Sequence, residues 1–252
     1  MSLDLQDFQR LVIRVKLDKA VSYSSLFNKS SLNYWSNFLQ LDLSRNRIIS
    51  SFFIPEKNNF SFYINNKSTQ SFDLNITYSN LKIQQSFIEN ILLETNEFFF
   101  SSFNISIENL FVHRIPSLQK ISSLDNTYVS FYFTNPTFIL SYDGANKRYA
   151  LPTLSSIIES LETRLNEFHS ESVLSSIITQ IDLSSLDYSI SSYNLKSLNI
   201  DELGVGCLGQ VTFFFTHIPK ELHYLFYLVN VFGLGAYFER GLGWVNVKTK
   251  GE

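Results

Sequence analysis

The stretch Leu225–Lys248, LFYLVNVFGLGAYFERGLGWVNVK, indicates how the whole chain is organised. An apolar helical segment runs into Gly233-Leu234-Gly235, five residues follow, and Gly241-Leu242-Gly243 then precedes a short apolar strand. Four of the nine glycines of the chain lie within this glycine-rich loop, residues 233–243. We therefore interpret the upstream sequence as a scaffold that positions the loop.

The composition is typical of a globular protein. The chain has 252 residues, of which 44% are hydrophobic, so it can form one large domain or two small ones. Its net charge of -3 is not typical of a protein that holds nucleic acid by bulk charge, but it allows a local basic site. A single cysteine, Cys207, excludes an intramolecular disulfide and suits a reducing compartment. We recognise neither a signal peptide nor a membrane span, and we expect a cytoplasmic protein.

Hydrophobic periodicity predicts the order β, α, β, β, α, β twice. The polar connector 117–127 predicts a boundary between an N-terminal domain, residues 1–120, and a C-terminal domain, residues 121–252. The fold class is therefore α+β, with tandem ferredoxin-like (RRM-like) domains and a C-terminal glycine-rich loop. Strands are predicted at 9–17, 48–54, 60–64, 71–78, 97–116, 128–140 (interrupted at Asn135-Pro136), 186–200, 210–215 and 244–248, and helices within 22–40, at 80–97, from Pro152 and around Pro219.

Three further stretches accompany the glycine-rich loop. They are FTNPTF (133–138), Leu151-Pro152 before a helix ending RLNEF (164–168), and GCLGQVT (206–212). In this order, the four features resemble the RAMP superfamily and, more closely, its CRISPR repeat endoribonucleases, the Cas-six family. The resemblance covers residues 128–248, and in the first half it depends on element order alone.

The resemblance implies that the protein cuts precursor CRISPR RNA within its repeats without a metal. In that reaction the ribose 2′-hydroxyl attacks the adjacent phosphate and leaves a 2′,3′-cyclic phosphate and a 5′-hydroxyl. The chemistry needs a base near the 2′-oxygen, an acid near the leaving oxygen, and cations near the developing phosphorane charge. No cofactor is predicted. Partners are the repeat RNA and, left open, other Cas effector subunits and a second copy forming a homodimer.

The glycine-rich loop is the first candidate for RNA contact. Its glycines would let backbone amides approach phosphates, although the same spacing also suits a tight turn from helix to strand without any ligand. The family loop is usually rich in Lys, Arg and Thr, whereas Arg240 is the only cation here and Glu239 opposes it. Tyr237 and Phe238 could stack on bases or simply pack the loop. The predicted RNA-binding residues of the loop are Gly233, Gly235, Tyr237, Arg240, Gly241 and Gly243.

The catalytic residues are predicted to include no histidine. The family often uses a histidine near its first helix, but no histidine of this chain precedes His113. We interpret His169 as a solvated residue at the end of a helix and His223 as a partly packed helix residue, while His113 and His217 are freer to touch RNA. The resemblance instead implies catalysis by Tyr23, Lys29 and Tyr34, with Tyr23 orienting the nucleophile. Alternatively, Tyr34 packs beside Trp35, and Lys29 is an ordinary solvated charge.

Basic residues in both halves could line a cleft. Arg14 and Lys16 lie on the second face of the predicted strand 9–17, and Arg45 and Arg47 follow the first helix. Each of these cations, like Lys147 and Arg148 of the second half, could also be an ordinary surface charge. No spacing of residues suggests a metal site.

The alternative function is a catalytically inactive RAMP subunit that holds CRISPR RNA in an effector complex.

Overall fold

The computed structural model of the chain divides into two compact units, each built on an antiparallel sheet. Among the described residues, those up to Arg114 form the N-terminal unit and those from Ile115 onward form the C-terminal unit. The structure describes residues 8–22, 49–55, 68–79, 98–100, 103–141, 148–149, 152–166, 177–200, 204–236 and 242–251.

The N-terminal unit contains five described strands. They are β1 (Phe8–Ser22), β2 (Ile49–Pro55), β3 (Ser68–Ser79), β4 (Phe98–Phe100) and β5 (Phe103–Arg114). The sheet order is β2-β3-β1-β5-β4, and every neighbouring pair is antiparallel. Apart from the short β4, this is the ferredoxin-like order, with the first strand between the third and the last. The helices predicted within 22–40 and at 80–97 and the strand predicted at 60–64 lie outside the described residues.

Strand β1 confirms the alternation predicted for residues 9–17. Leu11, Ile13 and Val15 are fully buried, because successive side chains of a strand point to opposite faces. On the other face Arg14 is half-buried and Lys16 is exposed. The sequence pattern therefore predicted correctly which face of the strand joins the core.

The C-terminal unit repeats the same topology. Its elements are β6 (Leu124–Thr137), β7 (Leu140–Ser141), β8 (Arg148–Tyr149), α1 (Leu154–Asn166), β9 (Tyr188–Ile200), β10 (Gly204–Ile218), α2 (Lys220–Phe232) and β11 (Val245–Gly251). The four-stranded sheet has the order β11-β6-β10-β9, and β7 pairs with β8 in a separate hairpin. The predicted α+β class with tandem ferredoxin-like units is confirmed.

An aromatic cluster joins α2 to the C-terminal sheet. Phe131 of β6 meets Phe226 of α2 edge to face at 5.4 Å, and Phe213 of β10 meets Phe131 in the same way at 5.8 Å. All three rings are buried. Because edge-to-face pairs gain from both burial and ring electrostatics, this cluster fixes the helix on the face of the sheet that carries Val129, Phe131 and Phe133.

Several predicted strand boundaries in the C-terminal unit are wrong, and the largest differences are in β6 and β10. Strand β6 begins at Leu124, inside the predicted connector, and continues through Asn135-Pro136. The proline lies where the ladder is interrupted, because the pairing with β11 ends at Phe133 and the pairing with β10 shifts register between Phe133 and Thr137. Its carbonyl oxygen accepts a 2.9 Å hydrogen bond from the Gly243 amide. Strand β10 begins at Gly204 and not at residue 210. The glycines hid this extension, since Gly209 has a φ of 123° where the pairing with β6 shifts register.

Candidate nucleic-acid interface

The base of the glycine-rich loop brings backbone segments very close together. Gly233, Gly235 and Gly243 have φ values of 69°, 82° and 84°. A Cβ atom on Gly243 would lie 1.9 Å from the Leu234 carbonyl oxygen, and one on Gly233 would lie 2.4 Å from the Gly243 carbonyl oxygen. Other residues rarely adopt these backbone angles, and there is no room for a side chain. The loop base therefore requires these three glycines whether or not RNA is bound.

The backbone amides of the loop base donate to acceptors inside the protein. The Leu234 amide donates to the Gly243 carbonyl oxygen at 2.7 Å, and the Gly235 amide donates to Ser160 Oγ at 2.7 Å. Four further amides donate within the unit, namely those of Gly233, Ala236, Gly243 and Trp244. The phosphate contact predicted from glycine amides would therefore cost an internal hydrogen bond at Gly233, Gly235 or Gly243.

A buried arginine holds the first GxG turn. Arg164 of α1 is 2% exposed, and its Nη1 donates to the carbonyl oxygens of Leu234 and Gly235 at 2.8 and 3.4 Å. It lies on the buried face of the helix with Leu161 and Leu165. No functional role was predicted for Arg164 from the sequence. The signal in the sequence was a cation on an otherwise apolar stripe of the helix, because a buried charge needs a partner.

The other predicted loop residues, Tyr237, Arg240 and Gly241, lie outside the described residues, so their contact with RNA stays a prediction. The predicted catalytic residues Tyr23, Lys29 and Tyr34 lie outside them too, as do Arg45 and Arg47. Of the remaining predicted cations, Lys147 is not described, and Arg148 lies in β8.

The two predicted RNA-binding cations of β1 are matched with carboxylates. Arg14 forms a bidentate pair with Asp73 directly across on β3, at 2.7 Å from Nε and 2.8 Å from Nη2. The Nζ of Lys16 lies 3.5 Å from the Glu108 carboxylate. Arg14 is thus held in a fixed geometry, whereas the more exposed Lys16 pair is weak and can exchange partners.

Arg10 and His113 lie opposite each other on the same face of this sheet. Burial lowers the pKa of Arg10 to about 10, and the nearby Asp73 opposes that shift. Burial and, second, the charge of Arg10 lower the pKa of His113 below its ordinary 6.5. Arg10 is therefore a cation at neutral pH, and His113 is a neutral imidazole.

The remaining candidates have structural contacts. His223 Nδ1 lies 2.9 Å from the Ser122 carbonyl oxygen, and the side chain is buried, which agrees with the prediction that this helix residue is packed. The exposed His217 forms a 2.5 Å contact between its Nδ1 and Asp125. Burial raises the pKa of the Cys207 thiol to about 12, which makes it a poor nucleophile. His169 lies outside the described residues.

Within the described ranges, no group of three or more His, Cys, Asp or Glu side chains is arranged to hold a metal ion. In the same part of the chain, no helix is both long and apolar enough to cross a membrane.

No protein-family model and no curated protein matches the sequence, but solved structures match over nearly its full length. Thermus thermophilus Cas6 is 16% identical, with a TM-score of 0.60 over 96% of this chain and 98% of that one. Its product complex is 17% identical, with a TM-score of 0.61 over 96% and 100%. A Cas6-RT-Cas1–Cas2 complex contains a chain with 17% identity and a TM-score of 0.61, over 97% of this chain and 29% of that one. The chain therefore has the fold of Cas6 structures.

Proposed function

We propose that the protein is an endoribonuclease that cuts precursor CRISPR RNA within its repeats. The observation that carries the proposal is its fold, which follows Thermus thermophilus Cas6 over 96% of this chain. The Cas6 product complex with the same fold supports it further. The GxG-x5-GxG loop between α2 and the last strand adds the sequence feature that first suggested the family.

We propose a mechanism that uses no metal and no histidine. The 2′-oxygen attacks the adjacent phosphorus and gives up its proton to a base, while the bond from phosphorus to the 5′-oxygen breaks and that oxygen gains a proton. The products are a 2′,3′-cyclic phosphate and a 5′-hydroxyl. Tyr23 orients the 2′-hydroxyl, Lys29 stabilises the phosphorane charge or protonates the leaving oxygen, and Tyr34 completes the site. Histidine is left out of this assignment because none precedes His113 in the sequence.

Contacts to the RNA are proposed at the glycine-rich loop and at cations of the N-terminal half. In the loop, Tyr237 and Arg240 would supply a stacking face and a charge. Lys16 would exchange its pair with Glu108 for a phosphate at little cost, because that pair is exposed and long. Arg14, Arg45 and Arg47 are proposed to extend the same basic surface.

The second candidate function is a catalytically inactive subunit that holds CRISPR RNA. Two observations favour it: no histidine precedes His113, and six amides of the loop base are already bonded within the protein. The likeness to a chain of a Cas6-RT-Cas1–Cas2 complex supports other Cas proteins as partners. We further propose a cytoplasmic location. Light scattering can measure whether the protein forms a homodimer.

One assay separates the two functions. Purified protein is incubated with a cognate repeat RNA in EDTA, and the products are tested for a 2′,3′-cyclic phosphate. Cleavage that is lost in Tyr23→Phe with Lys29→Ala supports the enzyme. The matched control is Tyr188→Phe with Lys220→Ala, two exposed residues of the C-terminal unit, which should cleave normally. Binding without cleavage supports the inactive subunit, and neither activity would contradict both.

A further inference from the structure

The C-terminal sheet has a second face, opposite the one that packs against α2. At its centre, four strands align their outward residues in three cross-strand rows, which we call the platform. The rows, each from β11 through β6 and β10 to β9, are Asn246-Tyr132-Gln210-Asn194, Lys248-Ser130-Thr212-Ser192 and Lys250-Tyr128-Phe214-Ser189.

Aromatic rings lie on the two central strands of the platform. Tyr128 of β6 and Phe214 of β10 are half-buried, with ring centroids 5.0 Å apart and planes inclined by 53°. Tyr132 lies on β6 in the first row, and Lys248 Nζ is 5.3 Å from the centroid of its ring. In RRM domains, aromatic residues on such a four-stranded sheet stack two or three bases. The platform has the same topology and presents aromatic residues on both central strands.

Charge and polarity on the platform match a nucleic acid strand. Lys248 and Lys250 are exposed on the edge strand β11, and none of the twelve platform residues is acidic. The middle row is polar, since Ser130 Oγ and Thr212 Oγ1 share a hydrogen bond of 2.8 Å. Gln210 Nε2 donates to the same Thr212 oxygen at 2.9 Å. A polar centre beside two cations suits a polyanion with polar base edges better than an apolar protein surface.

The platform also begins next to the glycine-rich loop. Asn246, in its first row, is three residues after Gly243. From Asn246 to Lys250 the strand extends by about 13 Å, at roughly 3.3 Å per residue. An RNA strand held at the loop could therefore continue directly along the three rows.

We propose that the platform binds a single-stranded segment of the RNA. Bases stack on Tyr128 and Phe214, phosphates pair with Lys248 and Lys250, and the exposed Asn194 offers a donor and an acceptor to a base edge. This inference rests on the proposed function, because it assumes that the protein binds RNA, but it does not require cleavage.

Stacking is tested by binding a fluorescein-labelled oligoadenylate to the full chain and following fluorescence anisotropy. Tyr128→Ala with Phe214→Ala should weaken binding by about 30-fold or more, at least about 5-fold for each stacked base, whereas Tyr128→Phe, which keeps the ring, should bind normally. The matched control is Tyr227→Ala, because Tyr227 is an exposed aromatic residue of α2. If the double alanine variant fails to fold, replacing both rings by Leu keeps apolar volume and decides the question. Unchanged affinity, or an equal loss in the control, would overturn the proposal.

The phosphate contacts are tested by the salt dependence of the same binding. Lys248→Ala with Lys250→Ala should reduce the slope of log affinity against log salt by about 1.4, which is about 0.7 for each contact to a single strand. Lys220→Ala, a surface cation of α2, should leave the slope unchanged. A slope unaffected by the double variant would contradict these contacts.

The two proposals can fail separately. If the protein cleaves the repeat in EDTA but the platform variants bind oligoadenylate normally, the platform is wrong and the enzyme stands. If the platform variants lose binding while no cleavage is seen, the platform stands and the enzyme is wrong. If neither repeat RNA nor oligoadenylate binds, both proposals are wrong.

Discussion

The base of the glycine-rich loop and the second face of the N-terminal sheet were both predicted to contact RNA, and they use their polar groups in opposite ways. At the loop base, six amides are bonded inside the protein, and the carbonyl oxygens of Leu234 and Gly235 accept from Arg164, which is 2% exposed. On the N-terminal sheet, charges meet at the surface, where the side chains of Lys16 and Glu108 are 61% and 39% exposed. The polar groups of the loop base are bonded within the fold, whereas surface charges of the N-terminal sheet can still exchange their partners.

This difference separates structural residues from binding residues. A buried hydrogen bond that loses one partner leaves the other without water, so it costs much more than a broken surface pair. Variants of the loop base should therefore mainly change the free energy of unfolding, and variants of the N-terminal face should mainly change the affinity for RNA. Four predictions test this division.

The largest effect is expected for Gly243→Ala. Its φ of 84° and the 1.9 Å approach to the Leu234 carbonyl oxygen force a backbone shift, so we expect a loss of about 3–5 kcal/mol in the free energy of unfolding. Chemical denaturation followed by circular dichroism measures it. The control is Gly206→Ala, where the three atoms nearest to the new Cβ belong to the Phe138 side chain, the closest at 3.1 Å, so that the loss should be about 1–2 kcal/mol. Equal stability of the two variants would contradict a strained loop base.

The next effect is expected for Arg164→Met, which keeps much of the buried volume and removes the guanidinium. The carbonyl oxygens of Leu234 and Gly235 lose a buried donor, so the free energy of unfolding should fall by about 1–3 kcal/mol. The neighbouring Thr163→Ala, which loses only an exposed bond to the Glu159 carbonyl oxygen, should stay within about 0.5 kcal/mol of wild type. If Arg164→Met were as stable as Thr163→Ala, the arginine would not hold the loop.

Arg164 also shows where the sequence stops being informative. Period-two and helical patterns predicted the strand faces, the helices α1 and α2 and the repeated topology, because burial of one face is a local property. Partners far apart in sequence are not local. The pair Arg14–Asp73 joins residues 59 positions apart, and Arg164 reaches a carbonyl 70 positions away. The sequence showed the spacing of the glycines. It did not show that acceptors inside the protein would form hydrogen bonds with the amides of the loop base.

A smaller effect on stability and a distinct effect on binding are expected for Asp73→Asn. Loss of the partly exposed pair with Arg14 should lower the free energy of unfolding by about 1 kcal/mol. The released guanidinium should raise the affinity for repeat RNA at low salt. Asp18→Asn changes the net charge equally at an exposed position of β1, the strand that carries Arg14, and it should not raise the affinity as much. If both variants bind RNA alike, only net charge matters and Arg14 has no specific contact.

The smallest effect concerns the pH dependence of the N-terminal unit. Because burial and Arg10 lower the pKa of His113, the unfolded chain takes up its proton more readily than the folded one. Stability should therefore be unaffected by His113 well above pH 6.5 and should fall as the pH drops through 6.5 and then through the lower folded pKa. In Arg10→Met, an NMR titration should show the pKa of His113 moving back towards 6.5. Arg14→Met removes a charge from the same strand and should not move it. An unchanged His113 titration in Arg10→Met would show that burial alone sets the shift, and that the charges on this face are less coupled than their alignment suggests.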